Sequence, residues 1–314
     1  MIRKALFVCV ILLIVGWAVY KISANYELLR HANIDMNYLA AAVGATSFAL
    51  VLNAFAVVLL LRASGSVFSA RKIFFYNMLL QPLKYLPAGS AINATSQSMA
   101  FAKIEGIRIV DAYLIPVISL CIQAAVGLIM YGGYQIAHED PSIWLICTII
   151  AAILSIMLAM NRRILQVLAR WMAKKTKAHL WSILAEWAEV PFRWTYLCGA
   201  VVIFALFWVA AGISLFFLAS SIGPLGVSEF PRFVALASVS VVMGYAAFFM
   251  PAGIGAREGV LIVLLGNILT QPWPTIVAIL SRIAWILAEL TNAAIVSMAS
   301  RWFQQESRGE YEQE

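Results

Sequence analysis

The stretch Tyr245–Asn267, "YAAFFMPAGIGAREGVLIVLLGN", decides how this chain is built. Both flanks would be comfortable in lipid, yet the centre holds Pro251, Gly253, Gly255 and the adjacent Arg257–Glu258 pair. Proline lacks a backbone N–H and glycine lacks a side chain, so a helix meeting "PAGIG" stops and restarts. A restarted helix exposes unpaired N–H groups and the positive end of its dipole, which together attract an anion. Arg257 falls in the first turn of that restarted helix.

Composition sets the solvent. Hydrophobic residues make up 63% of the 314 residues and charged residues 12%, with a mean hydropathy of +0.89. Soluble domains carry about 25% charged residues, so this chain belongs in a bilayer. Its formal net charge of +7 reads as Lys and Arg gathered on a cytoplasmic face, not as a nucleic-acid surface. Cys9, Cys121, Cys147 and Cys198 lie in apolar runs without metal or disulfide spacing, so no metal and no cofactor is expected.

A bilayer core needs about 20 apolar helical residues. Tyr38–Leu61, Ala112–Ala137, Ile143–Met160 and Thr195–Ile222 answer to that, as does Thr275–Ser300, which carries Arg282 and Glu289. Ala5–Tyr20, after Arg3 and Lys4, reads as a retained first span because no cleavage signal follows it. Ile73–Leu86, Ser90–Ala102 and Gly259–Thr270 are too short to cross. The first two flank "YLPAGS"; the third pairs with Phe233–Met250 across "PAGIGA". Both regions read as broken hairpins meeting near mid-membrane, where irregular backbone survives only if protein buries it or it lines a cavity. Phe233–Met250 is also long enough to cross by itself, which would reverse the last span.

The predicted fold is an all-α polytopic membrane protein: about six full spans plus two re-entrant or broken helical hairpins in an inverted repeat. One integral membrane domain is expected, with a first repeat over 38–160, a linker over 161–194, a second repeat over 195–300 and a polar tail over 301–314. The linker holds Arg162, Arg163, Arg170, Lys174, Lys175, Lys177 and Arg193, while "YQIAHEDPS" holds neither Lys nor Arg. That asymmetry places the linker and both termini in the cytoplasm, in a cytoplasmic (inner) membrane. Within the linker, Ile164, Leu168, Trp171 and Leu180, Ile183, Trp187 recur at helical spacing. They suggest a basic amphipathic surface helix, or simply a positive-inside connection.

Inverted repeats with discontinuous helices commonly place a ligand site where the breaks meet. The candidate binding residues are Lys84, Pro87, Gly89 and Asn93 from the first hairpin and Pro251, Gly253, Gly255, Arg257 and Glu258 from the second. Arg282 and Glu289 join them from the last span, two turns apart on one face. A mid-membrane cation costs about 2.5–3.5 kcal/mol on insertion scales, so it faces a cavity or a partner. Arg257 either grips an anionic group or pairs with Glu289 to hold the hairpin on the last helix; the roles are compatible. No nucleophile–base or metal-ligand cluster is evident, so a transport or binding role is expected rather than a membrane-embedded enzyme acting on lipid phosphates, for which Glu258 and Glu289 are the only obvious candidate groups.

"PAGIGAREG" resembles the transmembrane (flippase) region of lysylphosphatidylglycerol synthases, whose hallmark is Pro-x-Gly-x-Gly-x-Arg-Glu. Pro251, Gly253, Gly255, Arg257 and Glu258 match it, and "KYLPAG" at Lys84–Gly89 is similar to the family's first-hairpin Lys-Tyr-x-Pro-Gly. Many relatives carry an arginine soon after that first Pro-Gly. This chain has "SAINATSQS" instead, offering Asn93, Ser96 and Gln97 as uncharged hydrogen-bonding groups. Only "RWFQQESRGEYEQE" follows the last span, so the family's aminoacyl-transfer half is expected to be missing. The resemblance then implies moving or presenting an anionic phospholipid or a polyprenyl-linked sugar. A non-transporting partner of a cell-envelope assembly complex is the alternative, and a second copy or an envelope-biosynthesis protein is a possible companion.

Overall fold

The computed structural model describes residues 35–85, 89–138, 146, 149–150, 152–153, 193–247, 253 and 255–311. The expected first span Ala5–Tyr20, most of Ile143–Met160, the linker through residue 192, and Pro87 and Pro251 lie outside the described residues.

Every regular element among the described residues is helical: α1 (Met36–Ala63), α2 (Ala70–Leu80), α3 (Gly89–Ala102), α4 (Ile109–His138), α5 (Trp194–Ser220), α6 (Phe230–Ala246), α7 (Ala256–Leu265) and α8 (Trp273–Tyr311). Short 3-10 segments at Gln81–Tyr85 and Val227–Glu229 join them. Five segments are long and apolar enough to cross a bilayer: Met36–Ala63, Ile109–His138, Trp194–Ser220, Val227–Ala246 and Trp273–Ala299. The protein is an all-α polytopic membrane protein. Val227–Ala246 is the arm that the sequence assigns to the second hairpin, and its length suits a full crossing as well.

Local sequence explains the helix ends. The Asp35 carboxylate accepts the Asn37 N–H at 2.8 Å, satisfying one of the free donors at the start of α1. Gly65, at φ +87°, closes the other end in the left-handed conformation that glycine adopts without strain. Where the sequence suggests a helix running to Leu86, α2 stops at Leu80. Pro82 is the cause: it disfavours helical backbone at Gln81, and the chain tightens into the 3-10 segment that carries Lys84. Pro231 stands in the first turn of α6, where its missing N–H costs nothing.

The chain divides into two compact units. One comprises residues 1–50, 77–93 and 209–314, the other 51–76 and 94–208. In the first unit, Thr46 of α1 meets Ser214 of α5, with hydroxyl oxygens 2.8 Å apart, and Asn292 of α8 donates to the Ser47 carbonyl at 3.2 Å. Phe216 of α5 packs edge-on against Phe230 and Phe233 at the start of α6. These contacts fix α8 and α6 beside a common wall, which positions the site described below.

The second unit is held at one end by charge and along its length by close packing. Asp111, fully buried at the start of α4, accepts from Arg108 Nε at 2.7 Å and from Ser66 Oγ at 3.0 Å. Arg108 also donates to the Ser64 carbonyl at 3.2 Å, tying the loop after α1 to the start of α4. Further along, the buried Trp208 indole donates to the Gln123 carbonyl at 2.9 Å and its ring packs closely against Gly127. A Cβ at Gly127 would stand 2.8 Å from two ring carbons. Gly127→Val is therefore expected to cost about 1–3 kcal/mol through overpacking, measured as a lowered melting point of the detergent-solubilised protein.

Candidate functional site

Five charged side chains gather in the first unit. The 3-10 segment before the first break supplies Lys84, the first turn of α7 supplies Arg257 and Glu258, and α8 supplies Arg282 and Glu289. The sequence reading singled out all five, and the fold brings them together.

The turn into α7 explains how two of them arrive. Gly253 (φ +64°) and Gly255 (φ +92°) hold backbone conformations that L side chains rarely adopt. Gly253 also lies against the backbone of Gly244 in α6, with no room for a Cβ between them. The chain can thus fold straight back from α6 into α7. The Glu258 carboxylate then reaches round to accept the Gly255 N–H at 2.6 Å, which is half of a capping box; glycine has no side chain to return the bond. The start of α7 is accordingly occupied by the chain's own anion rather than left vacant.

Pairing differs from the sequence expectation. Glu289, whose side chain is fully buried, meets Lys84 with Nζ and Oε1 2.5 Å apart, and not Arg257. Arg282 faces Glu258 at 3.5 Å, Nε to Oε1. Arg257 is buried and forms no ion pair within 4.0 Å among the described residues; it donates to Ser281 Oγ at 3.3 Å. Its guanidinium carbon sits 4.4 Å from the centroid of the Trp285 ring, a cation–π contact of about 2 kcal/mol where water is excluded. Lys84 Nζ lies 5.8 Å from the same ring, and the Arg282 guanidinium lies 5.2 Å from the ring of Tyr85.

Among the described residues, three cations therefore face two carboxylates, and one positive charge is left over. Arg257 carries it, because Lys84 and Arg282 each stand against a carboxylate. Arg257, Ser214, Ser240, Ser281 and Trp285 line a cleft too narrow for a water molecule. Such an arrangement can hold an anionic group against a guanidinium fork and several hydroxyls, provided that the walls part to admit it.

The remaining expected residues stand as follows. Gly89 begins α3 and Asn93 lies half-buried in its second turn, while Gln97 is buried one turn on. Sequence reasoning missed Ser281 and Trp285, and met Tyr85 only as part of the "KYLPAG" likeness. Trp285 had a usable signal: it lies three residues after Arg282 and four before Glu289, so all three share one helix face. The chain matches no protein-family model and no curated protein, which leaves this buried cluster itself as the guide to function.

Proposed function

We propose that this protein binds an anionic lipid headgroup, or the phosphate of a polyprenyl-linked sugar, and moves or presents it across the cytoplasmic membrane. The observation that carries the reading is Arg257: a buried guanidinium, held by a ring and a hydroxyl, with no ion-pair carboxylate among the described residues. A buried charge without a counter-ion is costly unless something binds to it. An anion supplies what the cluster lacks. The likeness of Pro251–Glu258 to the flippase region of lysylphosphatidylglycerol synthases supports the same reading.

The narrowness of the cleft favours a second reading, in which the cluster only locks helices together and the protein serves as a membrane partner of an envelope-assembly complex. One substitution separates the two. Arg257→Lys keeps the charge but loses the planar fork that grips phosphate in two places. Reconstituted Arg257→Lys is expected to move tail-labelled anionic lipid at least about tenfold more slowly than the native chain, the loss of one charged hydrogen bond. Its melting point should be nearly unchanged. Native protein no faster than empty vesicles, or Arg257→Lys equal to native, would favour the locking role.

A further inference from the structure

Three buried serines line the cleft beside Arg257, and their protons are not equally engaged. Ser240 of α6 donates to the Ala237 carbonyl of its own helix at 3.0 Å. Thr46 of α1 donates to the Ala42 carbonyl at 3.0 Å, so its single proton is committed where it meets Ser214 at 2.8 Å. Ser214 of α5 is therefore the donor in that contact, the arrangement in which both short contacts are hydrogen bonds. Ser281 of α8 is the opposite case. It accepts from Arg257 at 3.3 Å, and among the described residues its own proton goes to no acceptor.

A hydroxyl oxygen has two lone pairs besides its proton. Ser214 and Ser240, with their protons engaged, can offer the cleft only acceptors. Arg257 and Ser281 offer it donors. The other lining residues of α5 and α6 are apolar, so the two serines are the polar groups those helices bring to the cleft. A phosphate alone uses only the donors. It leaves the lone pairs of Ser214 and Ser240 buried and unmatched, which weakens binding. A phosphate whose headgroup carries hydroxyls matches both kinds of group.

We propose that Ser214 and Ser240 form a headgroup subsite that selects phosphate esters bearing hydroxyl groups, on a glycerol or on a sugar. This rests on the reading that Arg257 binds an anionic group. The phosphate oxygens face Arg257 and Ser281, and headgroup hydroxyls donate to the two engaged serines. An ammonium headgroup could donate to the same oxygens, but it carries a second positive charge into a cleft that already holds Arg257. A choline headgroup has no proton to donate. The subsite therefore favours an anionic lipid with a neutral, hydroxylated headgroup over a zwitterionic one.

The test uses the full chain in phosphatidylcholine vesicles with tail-labelled phosphatidylglycerol or tail-labelled phosphatidylmethanol. Both are phosphodiesters with a single negative charge, and only the first carries hydroxyls. Polyprenyl phosphoryl-hexose and polyprenyl methyl phosphate make the same comparison for a sugar. In at least one pair the hydroxylated lipid is expected to move about tenfold faster, the effect of one or two hydrogen bonds. The pair that shows this preference identifies the headgroup. Ser214→Ala and Ser240→Ala should each lower the ratio several-fold, and the double variant should bring it close to one. A packing defect that slows both lipids alike leaves the ratio unchanged. Native ratios near one in both pairs overturn the subsite and leave the anionic-lipid reading standing. A native preference that survives in both single variants overturns the assignment to these serines. Movement of none of the lipids above empty vesicles removes the anionic-lipid reading, and the subsite with it. Ser240→Ala loses only a hydrogen bond to its own helix, so it decides the matter even if Ser214→Ala, which also deprives Thr46 of a partner, fails to fold.

Discussion

Gly253→Ala is expected to yield little folded protein, while Gly244→Ala folds almost normally. The two glycines touch, yet the contact is lopsided. A Cβ on Gly253 would lie 2.6–2.9 Å from the carbonyl oxygen, Cα and carbonyl carbon of Gly244, all backbone atoms that cannot swing away. A Cβ on Gly244 would meet only the Cβ of Arg257, at an ordinary 3.5 Å, and the Cα of Gly253 at 4.0 Å. Gly253 has a second handicap, its φ of +64°. A left-handed conformation costs a non-glycine residue about 1–2 kcal/mol, and overpacking adds about 1–3 kcal/mol. Together they amount to about 2–5 kcal/mol, a large part of a marginal total stability. Size-exclusion profiles of the two variants in detergent, with their melting points, make the comparison. Equal behaviour would mean that the α6–α7 turn does not depend on this close approach.

The second large effect concerns the partner of Glu289. Lys84→Met leaves a buried carboxylate facing nothing, at a cost of about 3–5 kcal/mol. Adding Glu289→Gln should recover most of that loss, because the pair rather than either member is what the interior tolerates. The companion double variant Arg257→Met/Glu289→Gln should show no such recovery, with the two losses simply adding. Arg257 and Glu289 would rescue one another only if they formed the ion pair that the sequence suggests. A melting-point cycle over the three single and two double variants distinguishes the arrangements.

How far the sequence could be read depended on how local each signal was. The long apolar runs announce their helices because nothing but a bilayer accommodates Trp194–Ser220, which has no charged residue in 27. The turn at Gly253 and Gly255 was legible too, since two glycines after a proline leave a helix few continuations. Pro82 was an equally local signal, and it shortened α2 where the sequence reading ran on to Leu86. The pairing of Lys84 with Glu289 was not legible, because the partners are 205 residues apart and choosing among three cations requires the packing of α8. Trp285 escaped notice for a related reason. A tryptophan in an apolar run looks like a packing residue until cations from two other elements are found beside its ring.

The last span has a bearing on how the protein is assembled. In α8, 72% of the apolar stretch is buried, against 39–50% in the other four spans. Its two buried charges, Arg282 and Glu289, find their partners on Glu258 and Lys84. A charged residue at the centre of a membrane helix costs about 2.5–3.5 kcal/mol during insertion by the translocon. Hydropathy alone thus recommends α8 less strongly than α5, whose value is 2.6 against 1.5. Synthesis runs from the N-terminus, so Lys84 and Glu258 have both been made before α8 emerges from the ribosome. The helix that carries two buried charges is thus one whose counter-charges are already waiting for it. Truncating the chain before α8 would strand those two residues in the bilayer, exposing them to the cell's quality-control proteases rather than leaving a smaller functional unit.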